Sequence, residues 1–173
     1  MSTTGNTTVP PSGHHLLVEL RNDGIYFASF DPLEDDTYQS CSVSFTAKNR
    51  PLCENVKNCV YENPQLLQEY DRTYILVDTS HFTFVPEELE KEEENRLPYY
   101  DFCFSGHDDH VIENHLVLNH AYLLFGVEHE LYTFLCRTFS NPIILHPLAS
   151  LCEYFFLHSR NGNETKAYLH LRK

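Results

Sequence analysis

Residues 15–31 read His15-Leu16-Leu17-Val18-Glu19-Leu20-Arg21-Asn22-Asp23-Gly24-Ile25-Tyr26-Phe27-Ala28-Ser29-Phe30-Asp31. Two apolar-rich runs, His15 to Leu20 and Ile25 to Asp31, flank the polar tetrad Arg21-Asn22-Asp23-Gly24. The pattern predicts strand, turn, strand, with Asp23-Gly24 supplying the positive φ that a tight hairpin favours. Ser42 to Phe45 alternates, with Val43 and Phe45 on one face, so a third strand is expected. The chain therefore opens as a β-meander, with the acidic loop Glu34-Asp35-Asp36 at one tip.

Working outward, Pro51 suits a first helical turn. Leu52, Val56, Cys59 and Val60 then recur at helical spacing. Pro64 ends or kinks that helix, and Leu66, Leu67 and Tyr70 predict a second short one. Thr73 to Thr79 holds the run Tyr74-Ile75-Leu76-Val77, which fits a strand buried on both faces. His81 to Val85 alternates again. Pro86 opens a stretch, 87–94, with six Glu and one Lys, expected as a solvated acidic helix. Asp101 to His110 reads as loop. Strands are expected at His110 to Glu113 and Ala121 to Val127, joined across Leu118-Asn119. A helix follows from Glu128, with Leu131, Phe134, Leu135 and Phe139 on one side. Ile143 to Leu145 is a short buried strand, and Leu148 to His158 is the strongest helix, with Leu148, Leu151, Cys152, Phe155 and Phe156 forming a single apolar stripe. Arg160 to Thr165 is a turn cluster, and Lys166 to Arg172 reads as a strand.

The expected organisation is a Thr-, Ser-, Gly- and Pro-rich lead-in over 1–13, a lobe over 14–165, and a terminal strand over 166–173. The fold class is α/β: a mixed β-sheet with an opening three-strand meander and flanking helices. The final strand either pairs back into the sheet or begins a second lobe.

Composition removes several functions. The 173 residues carry 12 Lys plus Arg against 25 Asp plus Glu, a formal charge of −13. Nucleic-acid phosphates need clustered cations, so nucleic acid is excluded as a partner. No apolar run reaches the roughly 18 residues of a membrane span. The start lacks the basic and apolar regions of a secretory signal. None of the six cysteines is spaced C-x-x-C, so thiols in a cytoplasmic protein are expected. The six glycines fit neither G-x-G-x-x-G nor a Walker loop, and G-x-S-x-G and H-E-x-x-H are missing.

The stretches Leu17 to Phe27, Tyr74 to Thr79 with Phe82 to Leu89, and Leu124-Phe125-Gly126-Val127 resemble a bacterial family catalogued as domain of unknown function 3822. The order of elements is similar to one lobe of the actin-like, ribonuclease-H-like fold of actin, sugar kinases and PilM-type proteins. Family members look longer, with a second actin-like half. The resemblance implies that the first hairpin stands where active actin-like ATPases hold phosphate. There Glu19 would replace an Asp, and Asn22, Asp23 and Gly24 would line the nucleotide. Arg21 replaces a small Gly at that loop, which opposes close backbone approach to phosphate.

Two other clusters carry chemistry. His107-Asp108-Asp109-His110 offers four metal-ligand types in a row, weighed against a solvated loop. Tyr99, Tyr100, Phe102 and Phe104 form an aromatic strip that either docks a partner or folds onto the core. Cys136 and Cys152, set among apolar helix positions, are read as core rather than nucleophiles. The resulting expectation is a non-catalytic interaction or scaffold module. It has no catalytic residue, no cofactor, and a protein or a second copy as partner. The alternatives are a nucleotide-binding lobe completed by a second half and, third, a metal-dependent hydrolase.

Overall fold

The alternation of Leu16, Val18 and Leu20 with His15, Leu17 and Glu19 becomes a strand with one face fully buried. A computed structural model describes residues 13–47, 49–89 and 96–159. In chain order the elements are β1 (His15–Leu20), β2 (Gly24–Phe30), β3 (Gln39–Ser44), α1 (Leu52–Glu62), β4 (Arg72–Val77), β5 (Phe82–Pro86), α2 (Leu97–Cys103), β6 (Asp109–Leu116), β7 (Ala121–Glu128), α3 (His129–Thr138), β8 (Ile143–Leu145) and α4 (Pro147–Ser159). Short 3₁₀ turns lie at Pro64–Leu67, Glu87–Leu89 and Val117–Asn119.

The described chain divides into two compact units. The first takes in the stretches up to Asp78, 108–110 and 127–145, and the second takes in 79–107, 111–126 and 146 onward.

The first unit is built on a five-stranded sheet of order β3-β2-β1-β4-β8. The meander pairs antiparallel, Leu20 facing Ile25 and Ile25 facing Val43, while β1–β4 and β4–β8 are parallel. Parallel neighbours need crossover connections, and α1 and α3 lie in those connections. Their helical stripes bury Val56 and Val60, and Leu131 and Leu135. With Leu16, Val18, Ile25 and Ile75 they form an aliphatic core, each side chain contributing about 1.5–3 kcal/mol on burial.

Two expectations about this sheet are corrected. Gly24 does not take a positive φ; its added Cβ would lie 2.3 Å from the Val43 carbonyl oxygen. Close approach of β3, not turn geometry, therefore demands glycine there. Strand β4 is also not buried on both faces. Thr73, Ile75 and Val77 are buried and Tyr74 and Leu76 only partly, so its second side is a half-covered face.

The second unit carries a three-stranded sheet of order β5-β7-β6, with β5 antiparallel to β7. Val85, Tyr100 and Leu124 pack with Phe104, Val111 and Tyr122. Leu116, Leu123 and Ala149 pack with Phe82, Leu148 and Cys152. The expected loop at 101–110 instead contributes to α2, whose Pro98 sits in the first turn where its missing N–H costs nothing. Of the expected acidic helix, Glu87–Leu89 forms a 3₁₀ turn and 90–95 lies outside the described residues. Most of the expected lead-in, the turn cluster 160–165 and the strand Lys166 to Arg172 lie outside them too.

Candidate functional site

The first hairpin positions Glu19 and Arg21 two residues apart, so both leave the strand on one face. Arg21 Nε donates to Glu19 Oε1 at 3.0 Å and Nη2 to Oε2 at 2.7 Å, a two-pronged fork. The guanidinium also lies 5.2 Å from the centre of the Tyr26 ring, and Tyr26 is the register partner of Glu19. The Tyr26 hydroxyl is hydrogen-bonded to that of Tyr38. Hydrogen bonding to Glu19 raises the Arg21 guanidinium above its ordinary pKa. An exposed pair of this kind contributes about 0–1 kcal/mol, so its effect is to fix two side chains rather than to hold the fold.

The turn itself closes through the Arg21 N–H to the Gly24 carbonyl at 2.9 Å and the Phe45 N–H to the Asp23 carbonyl at 2.8 Å. Asn22 and Asp23 are exposed, and Gly24 is buried against β3. The hairpin thus brings Glu19 and Arg21 together and leaves Asn22 and Asp23 facing solvent.

The quartet His107-Asp108-Asp109-His110 takes divergent partners. His107 Nε2 lies 2.8 Å from Asp101 Oδ1, and its ring meets Tyr100 edge-on at 4.7 Å. His110 stacks on Tyr132 at 3.5 Å, with His129 5.8 Å away. Burial first, and His129 second, push the His110 imidazole below its ordinary pKa. Asp108 and Asp109 instead line an open cavity of about 500 Å³ with Glu128, His129 and Glu130 at the start of α3. Glu130 is itself paired with Lys57 Nζ at 2.5 Å. Among the described residues no group of three or more His, Cys, Asp or Glu is placed to hold a metal ion.

The aromatic strip divides along α2. Tyr100 is 0% exposed and Phe104 packs partly buried against it, whereas Tyr99 is 41% and Phe102 90% exposed. Helical positions turn by about 100° each, so Tyr99 and Phe102, three apart, lie on one side and Tyr100, two before Phe102, on nearly the opposite one.

The cysteines are all free thiols. Burial pushes Cys53, Cys59 and Cys152 above the ordinary thiol range. Cys136 does not lie on an apolar stripe. It is exposed, one position past the buried Leu135, and its thiol hydrogen-bonds Tyr132.

Two arrangements were not legible beforehand. In the second unit Glu87 bridges two imidazoles, His115 Nε2 at 2.5 Å and His120 Nδ1 at 3.2 Å. Beside it Tyr122 stacks with His115 at 4.5 Å and receives the Arg96 guanidinium at 3.4 Å. The i, i+2 placement of Glu113 and His115 on β6 was the available signal, and Arg96 Nη1 donates to both Glu113 carboxylate oxygens, at 2.9 and 2.8 Å. The other is His146, fully buried before α4. Its Nδ1 accepts the Leu148 N–H at 3.2 Å, which leaves the hydrogen on Nε2 to donate to the Thr79 carbonyl at 3.0 Å.

The meander followed by parallel strands, with helices in the crossovers, defines an actin-like α/β domain. The chain belongs to the protein family of unknown function DUF3822, whose family model matches residues 5–173. A solved protein from Bacteroides thetaiotaomicron VPI-5482, described as having an actin-like ATPase fold and unknown function, superposes with a TM-score of 0.79. The two are 28% identical, and the match covers 88% of this chain and 59% of that one, so this chain spans less than two thirds of the solved protein. No curated protein matches the chain. No helix among the described residues is long and apolar enough to cross a membrane.

Proposed function

We propose that the chain acts as a non-catalytic interaction module built on an actin-like lobe, working in the cytoplasm. The observation that carries this reading is the fork between Arg21 and Glu19. At the hairpin where an actin-like ATPase would meet phosphate, both carboxylate oxygens are already held by a cation. A metal ion or phosphate-bound water approaching Glu19 would first have to displace the Arg21 guanidinium from both oxygens. The interaction half of the reading draws on Phe102 and Tyr99, exposed on α2. Aromatic side chains of this kind are enriched at the centres of protein interfaces. Six free thiols, several buried, favour a reducing compartment.

Melting with and without ATP and magnesium tests the reading. A ligand that binds only the native state must stabilise it, by about 2.7 kcal/mol at a hundredfold excess over its dissociation constant. An unchanged melting temperature is expected. A rise of several degrees would transfer the proposal to nucleotide binding through Glu19, Asn22, Asp23 and Gly24.

A further inference from the structure

Strand β3 is the outer edge of the five-stranded sheet, and nearly all of its residues are exposed. Its free hydrogen-bonding groups follow from the ladder. In antiparallel pairs, residues that exchange hydrogen bonds alternate with residues that do not. Phe45 bonds to Asp23, so the bonded pairs continuing down the register are Val43–Ile25, Cys41–Phe27 and Gln39–Ser29. Arg21 bonded to Gly24 sets the opposite parity on the β1 side of β2, as this requires. The N–H and C=O groups of Ser40, Ser42 and Ser44 therefore point away from β2. Among the described residues no strand lies on that side.

Natural sheets protect such edges with charges, prolines, bulges or shortness. The opposite edge, β8, has only three residues. Strand β3 has none of these devices. Residues 37–47 read Thr-Tyr-Gln-Ser-Cys-Ser-Val-Ser-Phe-Thr-Ala, without a charge, Pro or Gly, in a chain of net charge −13. The register with β2 runs one to one from Gln39 to Ser44, without a bulge. The outward residues are all serines, whose small side chains leave the backbone reachable.

We propose that β3 is a self-association strand that pairs antiparallel with β3 of a second copy about a two-fold axis at Ser42. Ser42 then faces its own copy and Ser40 faces Ser44, each pair exchanging two backbone hydrogen bonds. Charge selects the direction. Glu34-Asp35-Asp36 precede the strand, and Lys48 and Arg50 follow it. Antiparallel pairing sets the acidic approach of one copy toward Arg50 of the other. Parallel pairing would set acid against acid.

The pairing deepens the interaction reading and rests on it for the kind of partner. Its test leaves ATP out, so the two fail separately: a monomeric chain removes β3 as an interface, whereas an ATP-raised melting temperature removes the interaction reading. Sedimentation equilibrium of the whole chain should show a reversible monomer–dimer transition below about 1 mM. Proline at position 42 removes only an outward N–H, which an edge strand tolerates. Ser42→Pro should therefore raise the dimer dissociation constant at least about tenfold while leaving the melting temperature in place. Val43→Pro, which removes an inward N–H, should lower the melting temperature. Should Ser42→Pro not fold, Ser42→Cys in a Cys41→Ser background decides the matter. Opposed Cα atoms in a bonded pair lie about 5.5 Å apart, within disulfide range. Diamide, accepting two electrons and two protons from two thiols, should join two copies through position 42. A chain that stays monomeric throughout, a dimer unchanged by Ser42→Pro, or a Ser42→Cys chain that does not cross-link would each overturn the proposal.

Discussion

The two units bury different chemistry. The first closes over aliphatic side chains from β1, β2, β4, α1 and α3, with Val18, Ile25, Val56, Val60, Ile75 and Leu135 all at 0% exposure. The second fully buries a phenol and an imidazole in Tyr100 and His146 beside its leucines and Phe125, while each unit also buries a carboxamide, Asn55 in the first and Asn114 in the second. Asn114 Oδ1 accepts the His146 backbone N–H at 2.9 Å, and the His146 ring contacts Phe82 and Phe125 at 4.9 and 5.5 Å. An aliphatic core is non-directional and tolerates exchange at constant volume. A core stitched by polar groups is directional, and every unmatched group in it costs free energy. The first unit should therefore respond to lost volume, and the second to lost partners as well.

The largest effect is expected at Tyr100. Its fully buried ring packs among Val85, Leu124, Phe104, Val111 and Tyr122, so truncation opens a ring-sized cavity. Tyr100→Ala should cost about 3–5 kcal/mol, read as a fall in urea midpoint at constant m-value. Tyr100→Phe should cost less, about 1 kcal/mol, because the ring stays in place and only the hydroxyl's bond, to the His81 carbonyl at 3.5 Å, is removed. A small loss in the alanine variant would break the comparison, since it would mean the second unit repacks freely.

A matched pair sharpens it. His146→Leu keeps approximate volume but removes the ring that bonds both the Thr79 carbonyl and the Leu148 N–H, each bond lost inside the fold costing about 1–3 kcal/mol. A loss of about 2–4 kcal/mol is expected. Leu135→Met in the first unit, also near constant volume, should cost under about 1.5 kcal/mol. Equal losses in the two variants would show that the directional bonds of His146 contribute nothing beyond packing.

The same contrast explains what the residues revealed in advance. Period-two alternation over 15–20 and helical spacing of Val56, Val60, Leu131 and Leu135 located the first unit well, because an aliphatic core writes itself as periodicity. Helix α2 was missed. It is only seven residues long, and its aromatics, spread around the helix, have no stripe; Pro98 was the one start signal. The Glu19–Arg21 fork was available from alternation on one strand face. The cavity beside Asp108 and Asp109 was not, because Glu128, His129 and Glu130 reach it from about twenty residues away in sequence, a distance that no local pattern spans. Gly24 was recognised as necessary for the wrong reason, since a neighbouring strand's carbonyl leaves no trace in the hairpin's own sequence.

The smallest effect separates the units by pH. In the first, His110 has its folded pKa lowered below the ordinary 6.5, by burial and then by His129. The fold thus prefers the neutral ring. Its contribution is complete above about pH 6.5 and is lost as pH falls through the lowered value. In the second, Glu87 is lowered below the ordinary 4.5, chiefly by its hydrogen bond to His115 and next by that to His120. That contribution is complete above about pH 4.5 and is lost only in the more acidic window beneath it. Solvent screening keeps both modest. His110→Phe, which keeps a ring over Tyr132, should flatten the fall in urea midpoint between about pH 7 and pH 5 and leave the lower window alone. Glu87→Gln should do the reverse. If Glu87→Gln instead flattens the upper window, the two units share one acid response and the contrast between them fails.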